Sequence, residues 1–156
     1  VSLHRLIRRC AFAAGLLAAA AAHAQVPEGM RSVPTRHAFD ALLERVERAV
    51  EQNRLGVVAI ASASRGAASR GVKIPGNAVV MVFRNDIAVQ MLSASVAAGY
   101  EAPLRIYVTE GADGRATLSY RVPSTLFAPY RNAKVDQLAR ELDATLAKIV
   151  KDAGGG

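Results

Sequence analysis

The chain has 156 residues, 51% of them hydrophobic, with 20 Lys and Arg against 13 Asp and Glu for a net charge of +7, one cysteine and no tryptophan. That length corresponds to one ordinary domain. The composition excludes a two-domain enzyme, a disulfide scaffold and a disordered tail protein.

Residues 1–24 read as a cleaved secretory leader. Arg5, Arg8 and Arg9 form the positive n-region, Cys10 to Ala22 is an apolar run of 13 residues, and Ala22-His23-Ala24 supplies the A-x-A cleavage site. Thirteen residues of helix span about 20 Å, short of a hydrocarbon core of about 30 Å, so no stable membrane anchor is expected after cleavage. Cys10 opens the apolar run directly after Arg8 and Arg9, whereas a lipid-bearing cysteine would follow it, which argues against lipid attachment. Cleavage leaves 132 residues starting at Gln25; with three arginines gone, 17 basic residues remain and the net charge falls to +4. The mature chain has no cysteine, hence no disulfide, thiol nucleophile or cysteinyl metal site. The expected location is the periplasm or the secreted medium.

Residues 25–34 form a Pro- and Gly-marked N-terminal segment with a short edge strand over Met30–Val33. Residues 35–152 read as a single α+β domain, and 153–156 as a Gly-rich tail. From His37 to Arg54, Phe39, Leu42, Leu43, Val46, Ala49 and Val50 fall on one face at helical spacing. Gly56–Ser62 reads as a strand, and Ser64–Gly71 as a short helical turn or loop. Val79–Phe83, a continuous apolar run, predicts a strand buried on both faces or at the sheet centre. Ile87–Ala98 predicts a short helix or an irregular loop. Leu104–Thr109 and Ala116–Val122 alternate apolar and polar residues. Matching their outward residues pairs Thr109 with Thr117, Tyr107 with Ser119 and Arg105 with Arg121. The turn is then Ala112-Asp113-Gly114, with Gly114 in the left-handed region. Val135, Leu138, Leu142, Leu146, Ile149 and Val150 define a helix from about Ala133 to Asp152, with Asn132 as N-cap. The pattern predicts a mostly antiparallel sheet covered on one face by two long helices.

Several short segments resemble the bacterial family of domain of unknown function 302 (DUF 302), over roughly Phe39 to Val150. They are Phe39-Asp40-Ala41-Leu42, Val82-Phe83-Arg84-Asn85-Asp86, Glu101-Ala102-Pro103-Leu104-Arg105 and Ser119-Tyr120-Arg121-Val122-Pro123. The resemblance implies a two-layer β-α-β-β-β-β-α domain similar to the TATA-binding-protein-like fold, and frequent self-association, but no activity. Arg84 and Asp86 stand where members carry Gly and Pro around the turn asparagine. Ser62 and Ala63 stand where many carry an Asp-His pair.

Little catalytic chemistry is legible. His37 is the one histidine of the mature chain, and Met81 and Met91 read as core residues, so neither a metal nor a cofactor is implied. There is no Gly-x-Ser-x-Gly elbow, and Ser64 to Gly71 lacks the Lys-Ser/Thr ending of a phosphate loop. A charge of +4 on an exported domain argues against nucleic acid as a partner.

Three function classes are compared. The first is a non-catalytic binding or interaction domain, expected as a homodimer, that holds a small anionic or amphipathic ligand near Arg105, Tyr107, Ser119 and Arg121. There two opposed arginines would be relieved by an anion. The second is a hydrolase- or lyase-type enzyme using the turn Arg84-Asn85-Asp86 with Glu101 and Tyr120, which requires those side chains to converge on one pocket. The third is a structural accessory subunit with an exposed apolar patch.

Overall fold

Two amphipathic helices and the three inner strands of a five-stranded sheet supply most of the core. The computed structural model describes residues 26–155; the leader and its cleavage site lie outside the described residues. β1 spans Met30–Pro34, β2 Gly56–Ala61, β3 Asn77–Phe83, β4 Leu104–Glu110 and β5 Ala116–Arg121. They form one antiparallel sheet in the order β1-β5-β4-β3-β2. The helices are α1 (Phe39–Gln52), α2 (Ala63–Ala68), α3 (Asn85–Ala94), α4 (Pro123–Phe127) and α5 (Ala133–Gly154), with 3-10 turns at Ala97–Glu101 and Ala128–Tyr130. The α+β class expected from the patterning is the observed one.

All six apolar residues assigned to the buried stripe of α1 are buried, as are all six assigned to α5. α1 connects β1 and β2, the two edges of the sheet, and α5 packs beside it. Arg45 of α1 joins the two helices by donating to the carbonyls of Ala153 (2.6 Å) and Asp152 (3.1 Å) at the end of α5. Asn132 caps α5 as expected, accepting from the N–H groups of Lys134 and Val135. The helix runs through Gly154, past its expected end. Ala153 is buried, so it and Gly154 belong to the helix and not to a Gly-rich tail.

The hairpin register is the predicted one for Thr109–Thr117 and Tyr107–Ser119, and Gly114 has φ of +76°. The hydrogen-bonded pairs end at Ile106–Tyr120. Arg105 and Arg121 stand one step beyond that last pair in the same register; on their other sides Arg105 lies opposite Met81 of β3 and Arg121 opposite Met30 of β1.

β3 departs from expectation. It is neither central nor buried on both faces. It lies between β2 and β4, and its burial alternates. Ala78, Val80 and Val82 face the helices; Val79, Met81 and Phe83 are half-buried on the uncovered face. The continuous apolar run thus reports an apolar core face plus an apolar outer face, a pattern that full burial would also produce.

Candidate functional site

β3 ends at Phe83 and α3 begins at Asn85, so Arg84 joins a strand to a helix that folds over the inner face of the sheet. The expected strand-ending turn is a helix start, with Arg84 at the N-cap position. Ile87 and Met91, one turn apart, are the buried residues of α3. Together with Val82 and Leu104 from the sheet, Phe127 of α4 and Leu142 of α5, they line a partly open cavity of about 170 Å³. Leu92 and Gly99 close one side. A Cβ on Gly99 would come within 2.6 Å of Leu92 Cδ2, so glycine lets the 3-10 turn approach α3 closely.

Arg84 alone among the described lining residues has a polar side chain. Its guanidinium donates from Nε and Nη2 to the two carboxylate oxygens of Asp86, at 2.8 Å each. Asp86 is 61% exposed and the Arg84 side chain 33%, which places the pair at the cavity's outer rim. The hydrogen bond to Arg84 holds the Asp86 carboxyl below its ordinary range, and Asp86 raises Arg84 in return. An acid in the first turn also suits the positive end of the α3 dipole.

The other residues of the turn-based site do not join this pair. Glu101 accepts a hydrogen bond from the Tyr130 hydroxyl at 3.0 Å. Partial burial, reinforced by that carboxylate, raises the Tyr130 phenol above its ordinary value. Tyr120 lies opposite Ile106 on β5 and packs against the core, and Asn85 is exposed. Of the five residues, only Arg84 lines the cavity.

Arg105, Tyr107, Ser119 and Arg121 share the uncovered sheet face. Tyr107 is opposite Ser119, whose hydroxyl lies 2.9 Å from that of Ser32. Arg121 Nε donates to the Glu28 carbonyl at 3.3 Å, so the guanidinium turns toward the N-terminal segment. Arg105 is exposed. Tyr107 also borders an open depression with Ser62, Ala63 and Asn77, where the Ser62 hydroxyl donates to the Asn77 carbonyl at 2.7 Å. Among the described residues, no three His, Cys, Asp or Glu side chains cluster as metal ligands would.

The cavity liners Ile87, Met91, Phe127 and Leu142 are absent from both sites expected from the sequence. The available signal was the i,i+4 spacing of Ile87 and Met91 just after Asn85-Asp86, residue types that favour a helix start.

A sheet with one uncovered face, two long helices on the other and a small apolar cavity at one end defines a two-layer α+β domain. The chain belongs to the family described as domain of unknown function DUF302, whose profile matches residues 31–153. It is similar in structure to the crystal structure of an uncharacterized conserved DUF302 protein from Bacillus stearothermophilus. The TM-score is 0.72 at 17% identity, over 81% of this chain and 98% of that one. No curated protein matches the chain.

Proposed function

We propose that this chain is an exported, non-catalytic binding domain that holds a small, largely apolar guest in the cavity beneath α3. The cavity carries this reading. Side chains from the sheet and three helices line a partly open space of about 170 Å³, and all but one of the described liners are apolar. An apolar cavity of about 150 Å³ accepts a benzene-sized molecule, so the guest has about six carbons. Export rests on the leader-like segment of residues 1–24. A test is saturation-transfer NMR with 1-hexanol. Ala98 is fully buried and lines the cavity, so Ala98→Val should fill part of it and weaken the signal. An equal signal from a folded Ala98→Val variant would argue against the cavity as the site.

A second reading concerns the uncovered sheet face and a second copy of the chain. Val79, Met81 and Phe83 leave an apolar strip beside Tyr107, which is 42% exposed, with no helix over it among the described residues. Pairing two such strips would cover both and form a homodimer, the self-association that the family resemblance implies. Light scattering at micromolar concentration tests this. Wild type should have twice the monomer mass and Met81→Glu the monomer mass; a monomeric wild type contradicts it.

A further inference from the structure

We infer that the guest of this cavity is a small monocarboxylic acid, with its hydrocarbon inside and its carboxylate on Arg84 at the rim. This rests on the cavity reading above and adds the chemistry of the ligand's polar end. Arg84 is the one described lining residue whose side chain can meet a polar group, and it is a cation. A neutral alcohol would accept from the guanidinium through one oxygen without charge pairing, whereas a carboxylate offers two oxygens and the opposite charge.

The guanidinium has two edges that fit a carboxylate. Asp86 takes the edge formed by Nε and Nη2, at 2.8 Å on both bonds. Guanidinium has five N–H donors, and among the described residues no other hydrogen bond from Arg84 occurs, so the Nη1–Nη2 edge has donors left for a guest. Asp86 holds the planar group still, which reduces the ordering cost of binding at the second edge. A single guanidinium suits a planar monoanion, and bidentate pairing favours carboxylate.

Size follows from the cavity. About six carbons fill it, which places straight-chain and cyclic acids of hexanoate size in the class.

The experiment compares sodium hexanoate with 1-hexanol by chemical-shift titration of wild type and Arg84→Met. Methionine keeps the apolar stem and removes the charge. Wild type should bind hexanoate roughly 10- to 100-fold more tightly than hexanol, the range for a hydrogen bond to a charged group. Arg84→Met should lose that preference while keeping its hexanol affinity, which also reports that the variant is folded. Equal affinities for acid and alcohol in wild type would overturn the carboxylate assignment and leave the cavity reading standing. If wild type binds neither, both fall.

Discussion

Arg84 and Asp86, two residues apart, form a two-bond ion pair across the point where a sheet strand becomes a helix. Asp86 steadies the guanidinium and also opposes any anion that approaches it. Like charges that share one cation repel, and Asp86 is ionised at neutral pH as any exposed aspartate is. Replacing Asp86 with Asn keeps the shape and removes the charge. We expect hexanoate to bind a few-fold more tightly to Asp86→Asn than to wild type, with hexanol unchanged. Calorimetric titration checks this; weaker hexanoate binding would mean that positioning outweighs repulsion.

Helix α1 ends in a complete Schellman motif. The N–H of Leu55 bonds the carbonyl of Val50 at 3.1 Å, and that of Arg54 bonds the carbonyl of Glu51 at 2.9 Å. The left-handed residue is Arg54, with φ of +62°, where glycine is the usual choice. A side chain there costs about 1–2 kcal/mol, partly offset by the greater chain entropy glycine loses on folding. Arg54→Gly should therefore gain about 0.5–1 kcal/mol in urea unfolding. A loss would mean that the Arg54 side chain makes a stabilising contact.

Asn132 serves two helices. Its Oδ1 caps α5, and its Nδ2 donates to the Ala94 carbonyl at the end of α3, at 3.0 Å. Loss of a cap costs about 0.5–2 kcal/mol, and the tie to α3 goes with it. Asn132→Ala should lower stability by about that amount. Hydrogen exchange should also quicken in α3, which covers the cavity. Unchanged exchange in α3 would show that Ile87 and Met91 anchor that helix without the tie.

The far end of α5 is pH-sensitive. Asp152 accepts from Lys148 at 2.6 Å and from Asn53, the residue just after α1, at 3.0 Å. Those bonds, with Lys148 first, hold its carboxyl below the ordinary aspartate range. A depressed folded-state pKa stabilises above the unfolded-state value and stops doing so as pH falls through the folded value. Thermal melts should therefore show wild type losing its advantage over Asp152→Asn below about pH 4. A gap that persists at lower pH would point to packing as the source.

The parts of the fold that were legible are those where one periodicity dominates. The stripes of α1 and α5 and the alternation of β4 and β5 reflect a single buried face, and tertiary packing agrees with local pattern. β3 misleads because its outer residues are as apolar as its inner ones, so the sequence carries no alternation to read. α3 was only half legible, since Ala88, Val89 and Leu92 widen its apolar face and blur the stripe of Ile87 and Met91. α4 was missed. It is short, and the N–H of Ser124 at its start is bonded by Asp143 of α5, at 2.8 Å and 19 residues away. The cavity depends on four such elements meeting, which no local window of sequence reports. The Arg84-Asn85-Asp86 turn marks Arg84 as an anion anchor, but its neighbours in space cannot be read from its neighbours in sequence.

The central claim is that a small acid occupies the cavity under α3, and the methionines report on it directly. Met91 lines the cavity; Met30 lies in the edge strand β1, and Met81 on the uncovered face. With methyl-labelled methionine, hexanoate should shift the Met91 signal in a saturable way and leave Met30 and Met81 in place. A still Met91 signal, or a saturable shift confined to Met81, would contradict the account.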